Sequence, residues 1–212
     1  MPSIAKVREY LKQYHKDKDI QEFHVSSATV ELAARALGVI PARIAKSIAL
    51  KVDEGCVLVV SAGDVKINSS KFKARFAAKA RMMNADETYA FTGHKVGGVC
   101  PFAIENPDVK IYLDVSLKRF ASVYPACGSS SSGIEMTCDE LYTCAKALGW
   151  VDVCAGTLCA APQQLLRNCP KPHLNETDKR RHAKTRHCQR GKDEHGKAKT
   201  EPCITTNPNT TK

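Results

Sequence analysis

The chain has 212 residues, 43% hydrophobic and 25% charged, with a formal charge of +10, which suits one globular core plus an appendage. No apolar run approaches the roughly 18–20 residues that span a bilayer. The segment 1–6 also lacks the apolar stretch and small-residue cleavage site of a secretory signal. A cytoplasmic protein with no membrane partner is therefore expected.

Ser3 caps a predicted helix in which Ile4, Val7, Leu11 and Tyr14 share one face. Residues 20–25 read as a strand. Thr29 opens a second helix that turns Val30, Ala33, Ala34 and Leu37 inward and stops at Gly38. Pro41 suits the first turn of a short third helix, expected to carry Lys46. Residues 47–52 and 56–61 form a hairpin across Asp53-Glu54-Gly55. Ser69 or Ser70 caps a helix holding Phe72 and Phe76, and residues 81–83 make a brief strand. Asn84 caps the next helix, with Asp86 and Glu87 suited to its dipole. A glycine-rich loop covers 92–101. Strands follow at 109–113, 123–125 and 134–136, with a helical turn at 116–120 and a small-residue loop at 127–133. Thr137-Cys138-Asp139-Glu140 is a capping box before a last helix ended by Gly149, and 150–153 adds an edge strand. Hairpins and crossovers interleave irregularly, which predicts an α+β fold with a mixed sheet.

Residues 1–153 hold 20 Lys and Arg against 17 Asp and Glu, whereas 154–212 hold 12 against 5. The six Phe, six Tyr and one Trp all lie at or before Trp150. A segment without aromatic rings buries too little apolar area to offset its chain entropy. Residues 154–212 are thus expected to be a basic, disordered tail appended to a domain at 1–153. Cys154, Cys159, Cys169, His173, His182, His187 and Cys188 in this tail match no complete zinc spacing, and no metal or other cofactor is expected. The run 179–186 is either a solvated stretch or a nonspecific RNA contact. Five cysteines of the domain (Cys56, Cys100, Cys127, Cys138, Cys144) lack close pairing and read as reduced thiols.

Chemistry can reside at few places. In residues 93–101, Gly97-Gly98 can turn main-chain N–H groups into a pocket, and Pro101 stiffens the exit; the ordinary alternative is a surface turn. The pattern is neither a Walker A loop nor a dinucleotide-binding fingerprint. Lys46, flanked by Ile44 and Ile48, is either a desolvated charge in a cleft or a solvated lysine with a snorkelling stem. His94 is a ligand-binding group, a general base or a structural histidine, and His24, at the end of a strand, reads as a structural histidine. Cys100 lacks the sequence surroundings of a Cys–His hydrolase.

The ordered set Thr29-Val30-Glu31-Leu32-Ala33-Ala34-Arg35-Ala36-Leu37-Gly38-Val39, Ile44-Ala45-Lys46-Ser47, Val59-Val60-Ser61-Ala62-Gly63-Asp64, Gly97-Gly98-Val99-Cys100-Pro101-Phe102 and Ile111-Tyr112-Leu113-Asp114 resembles the YbaK/EbsC family of aminoacyl-tRNA deacylases. The editing insertion of bacterial prolyl-tRNA synthetase belongs to the same family. The resemblance runs from about residue 3 to residue 153. It implies a mixed, barrel-like β-sheet flanked by helices. It also implies hydrolysis of the ester joining a wrong amino acid to the terminal adenosine of tRNA. The family's lysine falls on Lys46 and its Gly-x-x-x-Pro loop on residues 97–101.

The implied catalytic groups are Lys46, Gly97 and Gly98. Main-chain N–H groups of 97–100 would stabilise an oxyanion, and Lys46 would hold the carbonyl or a phosphate. The implied pocket for a small amino acid (Ala, Cys, Ser or Thr) is lined near 25–29 and by His24, Thr29, His94, Val99, Cys100 and Pro101. Gly128 is also implied to bind substrate, and Ser129 and Ser130 of the serine-rich loop would meet the ribose or phosphate, or form only a flexible turn. Implied partners are the acceptor end of aminoacyl-tRNA and, beside it, an aminoacyl-tRNA synthetase. The alternative function is a non-catalytic module that binds an aminoacyl or nucleotide ligand or a synthetase.

Overall fold

A computed structural model describes residues 3–24, 28–53 and 55–156; the disorder, zinc and RNA expectations for the C-terminal segment fall mostly outside these residues. In chain order the elements are α1 (Ser3–Leu11), β1 (Gln21–Glu22), α2 (Val30–Leu37), β2 (Ile44–Val52), β3 (Gly55–Ala62), β4 (Val65–Ile67), α3 (Ser69–Phe76), β5 (Arg81–Met82), α4 (Ala85–Thr92), β6 (Val109–Asp114), β7 (Ser122–Pro125), β8 (Ser132–Gly133), β9 (Met136–Thr137), α5 (Cys138–Cys144), β10 (Trp150–Val151) and β11 (Cys154–Gly156).

The fold is α+β. A mixed, barrel-like sheet runs β10-β6-β3-β2-β7-β9, with β5 also on β2. The β2/β3 hairpin is antiparallel and unbroken from Ala45↔Ala62 to Val52↔Gly55. β6 joins β3 in parallel, and β7 joins β2 in parallel. The central strands are apolar because both faces are covered: Val57, Leu58, Val59 and Val60 of β3 are all buried. Val7 and Leu11 of α1 enter the same core as Phe72, Phe102, Leu113, Leu117 and Ile134. A smaller cluster joins Ala34 of α2 to Ile44 and Tyr124, with Val30, Ala33 and Leu37 packed on it.

Local signals place many element ends. Thr29 accepts from the Leu32 N–H and Gly38 ends α2 with φ 68°. Asn84–Glu87 and Thr137–Glu140 are both complete capping boxes. Other expectations need correction. Pro41–Arg43 is a 3-10 turn, and Lys46 stands on β2 rather than on a helix. The strand at 20–25 contracts to Gln21–Glu22, which pairs with Ser132 and Gly133. Asn68, not Ser69 or Ser70, caps α3. The last helix ends at Cys144 instead of running to Gly149.

Three short strands, β4, β8 and β11, had no sequence signal. β4 and β11 pair antiparallel, Val65↔Gly156 to Ile67↔Cys154, so regular structure continues three residues beyond Val153. Among the described residues, no helix is long and apolar enough to cross a membrane.

Candidate functional site

The site is built around β2. Ile44–Ala45 of this strand pair with β7, and Leu50–Lys51 pair with β5. Between these two contacts the same edge of β2 has no neighbouring strand. A cavity of about 240 Å³ lies there. Its walls come from residues 44–49, from Met82 at the end of β5 and Met83 after it, and from Tyr124, Pro125 and Ala126 at the end of β7. Ala28, Thr29 and Val30 at the start of α2 and Gly97 and Val99 of the glycine loop complete it, with Thr88, Ser132 and Gly133. The lining is mostly apolar, so its few polar groups determine what it can bind.

Lys46 carries the one ammonium among these lining residues. It is half-buried, and its Nζ donates to the Gly63 carbonyl at 3.0 Å and to the Val65 carbonyl. Desolvation pushes its pKa below the usual lysine value. Two of its three donors are thus held by Gly63, in the turn between β3 and β4, and by Val65, the first residue of β4. That turn is fixed from outside. Asp64 forms a two-point ion pair with Arg119, one arm of which spans 2.9 Å, and Arg119 holds the Asp64 carboxyl below its usual range. Gly63 cannot carry a side chain, because a β-carbon there would meet the Pro41 carbonyl and lie 2.6 Å from Val30 Cγ1.

The glycine loop forms the opposite wall. Gly97 has φ +92°, and a β-carbon on it would press on Ala28 at 3.2 Å, so the residue is needed both for conformation and for space. At Gly98 a β-carbon would lie 2.8 Å from the Ser129 main chain. The Gly98 N–H is occupied, donating to the Lys95 carbonyl at 2.9 Å, and is not free for an oxyanion.

Of the residues expected to meet at the site, the structure brings together Lys46, Thr29, Gly97 and Val99. The others stand elsewhere. His24 is exposed beside the wall residue Phe23. Residues 25–27 lie outside the described residues. His94 is buried under α1. Its Nε2 donates to the Phe102 carbonyl at 2.9 Å, so Nδ1 accepts a hydrogen bond from the Ser3 hydroxyl. A neutral histidine so used is a structural fastener.

Cys100 is fully buried, and burial pushes its thiol up to about 12. His94 Nε2, 3.5 Å from its sulfur, already carries a proton given to the Phe102 carbonyl, so it cannot deprotonate the thiol. Pro101 is buried and not among the lining residues. Gly128 packs on Ser3, where a β-carbon would clash at 2.8 Å. Ser129 turns inward to Ser132, 2.8 Å between hydroxyls, and it is Ser132 and Gly133 that reach the cavity.

Ser47, Thr88, Met83 and Tyr124 are wall residues that sequence reasoning did not find. Ser47 stood in the sequence only beside Lys46 in the set that carries the family resemblance. Tyr124 is set by Arg43, whose guanidinium lies 4.9 Å from the ring centre and bonds the Ser122 carbonyl at 3.1 Å.

The family model of the aminoacyl-tRNA editing domain matches residues 24–144. The uncharacterised protein YwhH of Bacillus subtilis is 46% identical over 153 residues, 72% of this chain and 97% of that protein. The proline–tRNA ligase of Bacillus licheniformis is 33% identical over 107 residues, 50% of this chain and 18% of the ligase. The Thermotoga maritima ligase is 31% identical over 114 residues, 53% of this chain and 20% of the ligase. The chain therefore spans a fifth or less of these ligases. A solved structure described as a proposed trans-editing enzyme for prolyl-tRNA synthetase superposes with a TM-score of 0.67 at 25% identity, covering 74% of this chain and 99% of that one.

Proposed function

The chain belongs to the aminoacyl-tRNA editing domain family, and from that premise we propose that it hydrolyses the ester of a mischarged aminoacyl-tRNA carrying a small amino acid. The observation that carries this reading is the Lys46 ammonium, two of its donors held by the Gly63 and Val65 carbonyls, in the wall of a small, mostly apolar cavity that Gly97 closes. Its third donor remains for the ester carbonyl or the adenosine phosphate.

An aminoacyl ester is already activated, so positioning and charge stabilisation supply most of what hydrolysis needs. Water bonds to the carbonyl carbon, the bond from that carbon to the ribose oxygen breaks, and the water proton ends on the ribose hydroxyl. The buried, protonated Cys100 thiol supports a route without an enzyme nucleophile. The acceptor end of tRNA is the substrate in this reading, and a synthetase beside it is the partner that would deliver the mischarged tRNA.

The test is deacylation of a panel of tRNAs mischarged with Ala, Cys, Ser and Thr. Wild type is expected to clear at least one of them, and Lys46→Ala to lower that rate about 100-fold. Equal rates, or no turnover of any tRNA by wild type, overturn the reading.

A further inference from the structure

The missing strand beside β2 has a consequence for Ser47. In an antiparallel pair both main-chain polar groups of a residue point to the same side, and the side alternates along the strand. The Ala49 carbonyl accepts from the Met83 N–H at 3.0 Å, away from β3. The register with β3 continues without a bulge, so Ser47, two residues earlier, also turns its N–H and C=O away from β3. That edge is where β7 has left β2 and β5 has not yet joined it. Among the described residues neither group has a strand partner, and Ser47 lines the cavity. Its hydroxyl oxygen is buried and also has no partner among the described residues. Buried polar side-chain atoms are nearly always hydrogen-bonded, and here an unpaired buried hydroxyl stands beside an unpaired stretch of ladder, so this residue is built to be completed by something that enters.

We propose that the aminoacyl group of the substrate takes the vacant place in the ladder. Its α-ammonium donates to the Ser47 carbonyl, and its ester carbonyl accepts from the Ser47 N–H. These are the two bonds a residue exchanges with its opposite in a hydrogen-bonded antiparallel pair. The Ser47 N–H is then the main-chain donor for the oxyanion, a role that the engaged Gly98 N–H cannot fill. The ester bond breaks as above, with Ser47 neither gaining nor losing a proton. The inference rests on the deacylase reading and assigns its carbonyl-binding group.

Proline at position 47 deletes the N–H without removing a ladder bond, and the preceding residue is already extended, as a proline requires. Folded Ser47→Pro is expected to lose about 10²–10³-fold in deacylation, whereas Ser47→Ala, which keeps the N–H, loses less than about tenfold. Because Ser47→Pro can fail to fold, the second measurement uses the wild-type full chain. The probe is 3′-alanylamido-3′-deoxyadenosine, and amide resonances are followed by NMR. A downfield shift of the Ser47 amide proton supports the inference. An unmoved Ser47 amide while Gly97 shifts, or a folded Ser47→Pro variant at the wild-type rate, overturns it and leaves the deacylase reading standing. Failure of the wild type to deacylate any tRNA overturns the reading itself.

Discussion

His94 shows how much a single residue's surroundings decide. In the sequence it stands in a glycine-rich loop, where a ligand-binding group, a general base and a structural histidine look alike. In the fold its ring joins the Phe102 carbonyl on one side and the Ser3 hydroxyl on the other. Burial holds its pKa below the usual 6.5. The unfolded chain therefore takes up the proton first. The stability that neutral His94 contributes is complete above pH 6.5 and is lost as pH falls through the lower folded value. Urea midpoints measured from pH 8 to pH 4.5 should fall across this window, and less steeply in His94→Gln. A parallel decline in both proteins would refute the assignment. Lys46 is the converse case. Its neighbours Ile44 and Ile48 raised the possibility of a desolvated charge, but the two carbonyls that hold it come from residues 63 and 65, beyond any local pattern.

At the scale of elements, the cavity is a by-product of strand lengths. β2 has nine residues and β3 eight, while β7 has four and β5 two. Short strands at either end of a long one leave its middle uncovered, and α2 and the glycine loop roof the opening. The turn after β3 connects this opening to the rest of the fold. Gly63→Ala forces a methyl group against the Pro41 carbonyl and Val30. Overpacking of this kind costs about 2 kcal/mol. It also shifts a carbonyl that holds Lys46, so the melting temperature and the deacylation rate should fall together. A variant that melts lower but keeps its rate would show that the Gly63 carbonyl does not position the lysine.

On the scale of the whole chain, charge is unevenly distributed. Residues 1–153 are nearly balanced, and the excess of Lys and Arg lies in 154–212. A chain ending at Gly156 retains β11 and every cavity residue. It should retain deacylation at low salt, with a shallower dependence of tRNA affinity on salt concentration, because fewer phosphates are neutralised. Equal salt slopes for the two lengths would show that the basic segment does not contact tRNA.

The sequence by itself determined what is local. Caps at Thr29, Asn84 and Thr137, the stop at Gly38, and the hairpin around Asp53 are encoded within a few residues, because capping and turn energies act over one or two turns. The ordered set around Lys46 and Gly97 pointed to the family because residue identities and their order are read directly from the chain. Only the tertiary structure decided which groups share a cavity. Whether Gly98 has a free N–H, whether Cys100 can ionise, and where β2 lacks a neighbour all depend on contacts between residues distant in sequence. Burial and strand pairing are properties of the packed sheet, and no short window of sequence contains them.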